Sequence, residues 1–153
     1  MNDYTNNQAT LHTNSGCSLA TSNSNTLAIT GTLVGGTNCA VSGTSNQGCG
    51  IQANSNTTYG AGFNSIGGGV YASKCPPLTR FGVSADLTGT SVKWDSSGIS
   101  VFFFPRSAIP ADIQAEAPQP TTWGLPMASW PATNCNPFQF FYDHVAIIDT
   151  TLW

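Results

Sequence analysis

Ser96-Ser97-Gly98-Ile99-Ser100-Val101-Phe102-Phe103-Phe104-Pro105 is the stretch on which the fold turns. Ile99 to Pro105 is a run of β-branched and aromatic side chains, the types that fit a pleated, half-buried surface. Ser96-Ser97-Gly98 reads as a hairpin turn, with Ser91 to Asp95 as the strand before it. Successive side chains on a strand point to opposite faces, so Phe102, Phe103 and Phe104 divide between core and inter-sheet packing.

Working outward, more segments read the same way. Gln8 to Thr13 alternates around Leu11, and Thr26 to Val34 is β-branched and bounded by glycines. Cys49 to Ala53, Gly68 to Ser73 and His144 to Leu152 complete the strand candidates. Apolar residues do not recur at helical spacing over any long window. The proline-rich stretch from Pro105 to Pro131 predicts an irregular surface loop, with one helical turn at Pro110 to Gln114. Many short strands between Gly and Pro turns predict an all-β fold, an antiparallel β-sandwich or jelly roll with few helices.

Composition narrows the function. The chain has 153 residues, enough for one domain, and only 7% are charged. Its polarity comes from Ser, Thr, Asn and Gly. Four Lys plus Arg and a net charge of −3 cannot neutralise many phosphates, which argues against nucleic acid as a partner. A neutral polymer bound by aromatic and uncharged polar groups fits better. No stretch reaches membrane-spanning length, and no basic start or apolar run marks a signal peptide. The five cysteines, Cys17, Cys39, Cys49, Cys75 and Cys135, form no CxxC pair, so no metal site or cofactor is expected. Their scatter in a polar chain suggests an oxidising compartment, and the odd count leaves one over. Asn56-Thr57-Thr58 is a single glycosylation sequon.

Several segments, in order along most of the chain, resemble fungal glycoside hydrolases of family 16. They are Asn7-Gln8-Ala9-Thr10-Leu11-His12-Thr13 with Ser15-Gly16-Cys17, Asn38-Cys39 with Gln47-Gly48-Cys49-Gly50-Ile51, and Tyr59-Gly60-Ala61-Gly62-Phe63-Asn64 with Gly67-Gly68-Gly69-Val70-Tyr71-Ala72. Further on come Trp94, Gly98 through Arg106, Ile109-Pro110-Ala111-Asp112-Ile113, Trp123-Gly124-Leu125-Pro126 and Asp149-Thr150-Thr151-Leu152. The resemblance implies a concanavalin-like jelly roll whose concave face holds a β-glucan. It also implies retaining hydrolysis of β-1,3 or mixed β-1,3/1,4 links, in a secreted or cell-wall protein acting as a monomer. Residues 1–153 would then be the C-terminal part of one such domain.

The chemistry implied by the resemblance needs a strand with the pattern Glu-x-Asp-x-x-Glu. Retention takes two carboxyls about 5–5.5 Å apart, one as nucleophile and one as acid/base. That pattern does not occur among Asp3, Asp86, Asp95, Asp112, Glu116, Asp143 and Asp149. Met1-Asn2-Asp3 matches the residues that follow the motif in the family, so the catalytic pair is expected before Met1 and no catalytic residue within the chain. A second departure is an insertion at about 73–93, readable as a loop or as a retained intron. Cys75 falls inside it. A third is the end, where the family continues with a cysteine that could pair with Cys135. The pairing of Cys17, Cys39, Cys49 and Cys135 stays open among three connectivities.

The resemblance places His12 in the cleft, to hydrogen-bond sugar hydroxyls or the acid/base carboxyl. Trp123 is the candidate for stacking on a pyranose ring, and Asn64 and Tyr71 are candidates to approach the glucan. Trp94 and Trp130 read as structural. The function expected is that of a β-glucan hydrolase homologue lacking turnover. The alternatives are a non-catalytic glucan-binding module, a dead gene fragment, or a Ser/Thr-rich cell-wall structural protein.

Overall fold

A computed structural model describes residues 5–74 and 97–140. Among them are six strands: β1 (Gln8–Leu11), β2 (Thr32–Gly35), β3 (Cys49–Gln52), β4 (Gly69–Lys74), β5 (Gly98–Pro105) and β6 (Ala128–Pro131). They form two three-stranded sheets, β1-β3-β2 and β4-β5-β6, and every pairing is antiparallel. The helices are single turns or little more: α1 (Ser24–Leu27), α2 (Gly60–Ser65), α3 (Ala111–Gln114) and α4 (Pro137–Phe140). None of them is long and apolar enough to cross a membrane.

β3 is the centre of the first sheet. Ile51 sits opposite Ala9 on one side and Leu33 on the other, and is fully buried. β5 is the centre of the second. Ile99 faces Trp130 in register, Val101 faces Ala128, and Tyr71 faces Phe103. Ile51 and Ala53 meet Ile99, Ala128 and Trp130 in one core cluster, so both sheets contribute to a common interior. The Trp130 indole N–H donates to the Cys49 carbonyl across 3.2 Å, tying β6 to β3.

Two glycines permit the close approaches this needs. Gly98 begins β5 at φ +136°, where a Cβ would lie 2.2 Å from the Trp130 carbonyl oxygen. Gly31 has ordinary φ but lies against backbone: a Cβ there would stand 2.5 Å from Met127 O and 2.7 Å from Gln52 O. Any larger side chain at either position forces strands apart, because backbone atoms cannot swing away.

Two disulfides fix the remainder. Cys17 joins Cys135, and Cys39 joins Cys49. This selects one of the three connectivities, and it corrects the expectation that a partner of Cys135 lies beyond the end of the chain. Cys17 also accepts a backbone bond from Cys39 N (3.1 Å), so the two bridges are adjacent.

Two expectations about elements are corrected. Thr26 to Val34 is not one strand. Asn23 caps a helical turn by accepting from Thr26 N (3.1 Å). Ala28 then enters the left-handed region at φ 52°, and Ile29 N closes the turn on Ser24 O (3.1 Å). Local capping outweighs β-propensity there, and a strand begins only at Thr32. The stretch from Pro105 to Pro131 is also more ordered than an irregular loop. It holds a 3-10 turn at Arg106–Ala108, helix α3, a second 3-10 turn at Pro120–Thr122, and strand β6. In β6, Ala128 and Trp130 point inward, and Pro131 comes last on a strand at the sheet edge. The strand candidates Ser91 to Asp95 and His144 to Leu152 lie outside the described residues.

Candidate functional site

The faces of β5 separate as alternation predicts. Phe103 meets Tyr71 at a tilt of 36° (4.9 Å between ring centres) and lies 6.2 Å from Phe63 of α2. Phe102 and Phe104 form a parallel pair on the other face (6.1 Å, 6°). Trp123 stands at right angles to both, at 5.1 Å from Phe102 and 5.4 Å from Phe104. Edge-to-face contact of this kind matches the electron-poor rim of one ring to the electron-rich face of another.

The loop carrying Trp123 is folded back by its own backbone. Ala117 N bonds Asp112 O (2.9 Å), closing α3, and Thr122 N bonds Gln119 O (2.9 Å). The result brings Asp112 beside Trp123. Oδ2 of Asp112 accepts from the Trp123 indole N–H (2.7 Å) and from Gln119 N–H (2.6 Å). Desolvation pushes the Asp112 carboxyl up, but these two bonds and the backbone N–H groups of Asp112 and Ile113 outweigh it and hold it below the usual carboxylate range. A depressed folded value means the contact is complete above the unfolded pKa of about 4 and is lost as pH falls through the folded value. It therefore stands unweakened in neutral and mildly acidic media.

Beside Trp123 runs a groove of about 280 Å³. Phe102, Phe104, Trp123, Leu125 and Met127 give it an apolar side; Thr30, Asn54, Ser55 and Thr58 give it a polar one. None of its lining side chains is ionisable. The loop before β2 is sealed to the segment before β6 by Thr30 N to Pro126 O (2.9 Å) and Gly31 N to Met127 O (3.0 Å). Asn54 is held in the polar wall, donating to Thr30 O and accepting from Thr32 Oγ1, each at 2.8 Å. Leu125 stands 59% exposed at the rim. Apolar faces opposite hydroxyl and amide groups, without charge, suit a sugar ring, which is itself apolar on its C–H faces and polar around its edge.

Of the four residues singled out from the sequence, Trp123 lines this groove. Tyr71 supports it from behind: its hydroxyl donates to the Thr58 carbonyl. Burial pushes the Tyr71 hydroxyl up, against hydrogen bonding with Asn7 and Thr58, so it stays a neutral donor. His12 is exposed just past β1, with its imidazole over Gly48. Asn64 is exposed on α2. Neither is among the groove residues. Sequence reasoning missed the polar wall and the role of Asp112. The one available signal was Asp112 in a stretch otherwise poor in charge. No group of three His, Cys, Asp or Glu among the described residues could hold a metal.

The family model described as an XgeA-like catalytic GH16 domain matches residues 1–77 and 88–153. The chain belongs to glycoside hydrolase family 16. It is 35% identical to a probable glycosidase of Schizosaccharomyces pombe over 99% of its length, which is 31% of that protein. It is 32% identical to a probable endo-1,3(4)-beta-glucanase of Aspergillus clavatus over 99% of its length, covering 19% of that protein. The chain thus spans less than a third of these curated relatives. Among solved structures it resembles GH16 Laminarinase 16A from Phanerochaete chrysosporium, which was captured with two beta-glucans in its donor and acceptor sites. The TM-score is 0.67 and the identity 35%, covering 92% of this chain and 41% of the laminarinase. A GH family 16 beta-1,3-glucosyltransferase described as elongating gives a TM-score of 0.63 at 30% identity, covering 88% and 36%. The fold is accordingly that of the family-16 jelly roll, and the chain carries a portion of it.

Proposed function

We propose that this chain is a glucan-binding portion of a family-16 β-glucanase domain, recognising β-1,3 or mixed β-1,3/1,4 glucan without hydrolysing it. The uncharged aromatic groove at Trp123 is the observation that carries the binding half. The sequence carries the other half, because no Glu-x-Asp-x-x-Glu strand occurs in the 153 residues. That strand is what would set two carboxyls facing each other, one as nucleophile and one as general acid for the glycosidic oxygen. His12 and Asn64, both exposed, would add hydroxyl contacts outside the groove. Tyr71, whose hydroxyl bonds Thr58, would bear on the glucan through the groove wall. The two disulfides support an extracellular or cell-wall location, and the chain would act as a monomer. The family match breaks at residues 78–87, in keeping with an insertion at about 73–93.

Two measurements test this. Incubation with laminarin or lichenan is expected to release no reducing sugar above the protein-free blank; sustained release by the pure chain overturns the inactive half. In affinity gels containing laminarin, the chain is expected to be retarded. Trp123→Ala should weaken that retardation roughly tenfold in Kd, the equivalent of about 1.4 kcal/mol. Equal migration with and without laminarin overturns the binding half.

A further inference from the structure

We infer that Asp112 is a positioning residue that holds the indole of Trp123 in its glucan-binding orientation. Asp112 has this role only if the groove binds glucan, as proposed above. Its side chain is not among those lining the groove, so it acts through Trp123 rather than on the sugar.

The geometry separates what fixes the indole from what merely touches it. Phe102 and Phe104 meet Trp123 edge to face, ring contacts that leave the indole N–H itself unpaired. The hydrogen bond from Nε1 to Asp112 Oδ2 is directional and has an ionised acceptor, which makes it stronger and shorter than a neutral one. The same oxygen accepts from Gln119 N–H, four residues before Trp123. One atom therefore sets both where the backbone enters and where the indole edge points. Without it, the ring must be ordered at the moment of binding. That ordering is expected to lower affinity by roughly two- to tenfold.

A double-mutant cycle tests the assignment because Trp123→Phe keeps an aromatic face but removes the N–H. Laminarin affinity would be measured for the wild type, Asp112→Ala, Asp112→Asn, Trp123→Phe and the doubles. Asp112→Ala is expected to weaken binding two- to tenfold in the Trp123 background. Asp112→Asn should weaken it less, because an amide oxygen can still accept the indole N–H. In the Trp123→Phe background, Asp112→Ala should cause a clearly smaller loss, the part that passes through Gln119. If Asp112→Ala does not fold, Asp112→Asn carries the same test, its loss shrinking in the Trp123→Phe background.

Equal losses in both backgrounds would mean that Asp112 only supports the loop through Gln119, and would overturn the inference. Binding undiminished by either change at Asp112 would also overturn it, leaving the groove assignment intact. Failure of the wild type to bind laminarin would overturn both, so the two readings fail in distinguishable ways.

Discussion

Replacing Cys17 and Cys135 together by alanine is expected to destabilise the chain by about 5 kcal/mol, against about 3 kcal/mol for the Cys39 and Cys49 pair. The difference follows from loop closure. The first bridge spans 118 residues and the second 10, and the entropy a cross-link removes from the unfolded chain grows with the logarithm of that span. All four cysteines are almost fully buried, so alanine is the proper replacement; serine would add the cost of a buried hydroxyl. A backbone bond beside it, Ser18 N to Asn134 O at 3.0 Å, links the same two segments and becomes easier to open once the bridge is gone. Urea titrations of both double variants, compared with the wild type, measure the two losses. Domains of this kind have only about 5–15 kcal/mol in total, so the Cys17/Cys135 variant should approach the unfolding threshold. A larger loss from the Cys39/Cys49 pair would show that native-state packing, not chain entropy, governs these bridges.

What the sequence revealed of the fold depended on whether a signal was local and unopposed. Gly98–Pro105 was readable because β-branched and aromatic residues run between a glycine and a proline, and no capping residue competes. Cys49–Gln52 and Gly69–Lys74 were readable as short runs that each follow a glycine. Thr26 to Val34 had equal β-propensity, but Asn23 captured Thr26 N–H and drew Thr26 and Leu27 into a helical turn. β6 was hidden because Pro126 and Pro131 frame it, and proline read as a loop signal when here it marks strand limits at a sheet edge. Helix α2 was missed because Gly60-Ala61-Gly62 weakens any helical reading; yet its turn is closed by Gly68 N to Phe63 O, a bond outside any propensity scale.

The site divided along the same line. Trp123 could be chosen from the sequence because an indole face packs on the apolar C–H face of a pyranose and Trp123 stands in a segment that resembles the family. The groove it lines could not. Thr30 and Asn54 are separated from Trp123 by more than sixty positions, and they come together only because Gly31 lets the backbone pass Met127. In the sequence Asp112 is only an acid within the proline-rich stretch, and its bond to an indole eleven residues away depends on two successive tight turns between them. Side-chain chemistry named the ring; chain path supplied its partners.

Trp130→Ala is expected to destabilise the chain by about 3–5 kcal/mol, the usual range for deleting a large buried aromatic. Trp130 is 1% exposed and the largest of the fully buried side chains, packed between β5 and the first sheet. Its indole N–H also satisfies the Cys49 carbonyl, so deletion leaves a buried acceptor without that partner. Trp130→Phe separates the two effects. It keeps most of the aromatic volume and removes the N–H, and is expected to destabilise by about 1–3 kcal/mol. Urea midpoints at an unchanged slope measure both values. Equal losses for the two variants would place the weight on the hydrogen bond, and a loss below 1 kcal/mol for Trp130→Ala would mean the core closes over the gap. The contrast with Trp123 is the informative part. Trp123 is only partly buried and held by Asp112, so Trp123→Ala should change laminarin affinity with a smaller change in urea midpoint than Trp130→Ala. Trp130→Ala should unfold the chain before it alters the groove. Two tryptophans seven positions apart thus separate along one physical axis, burial, and their variants can tell loss of binding from loss of fold.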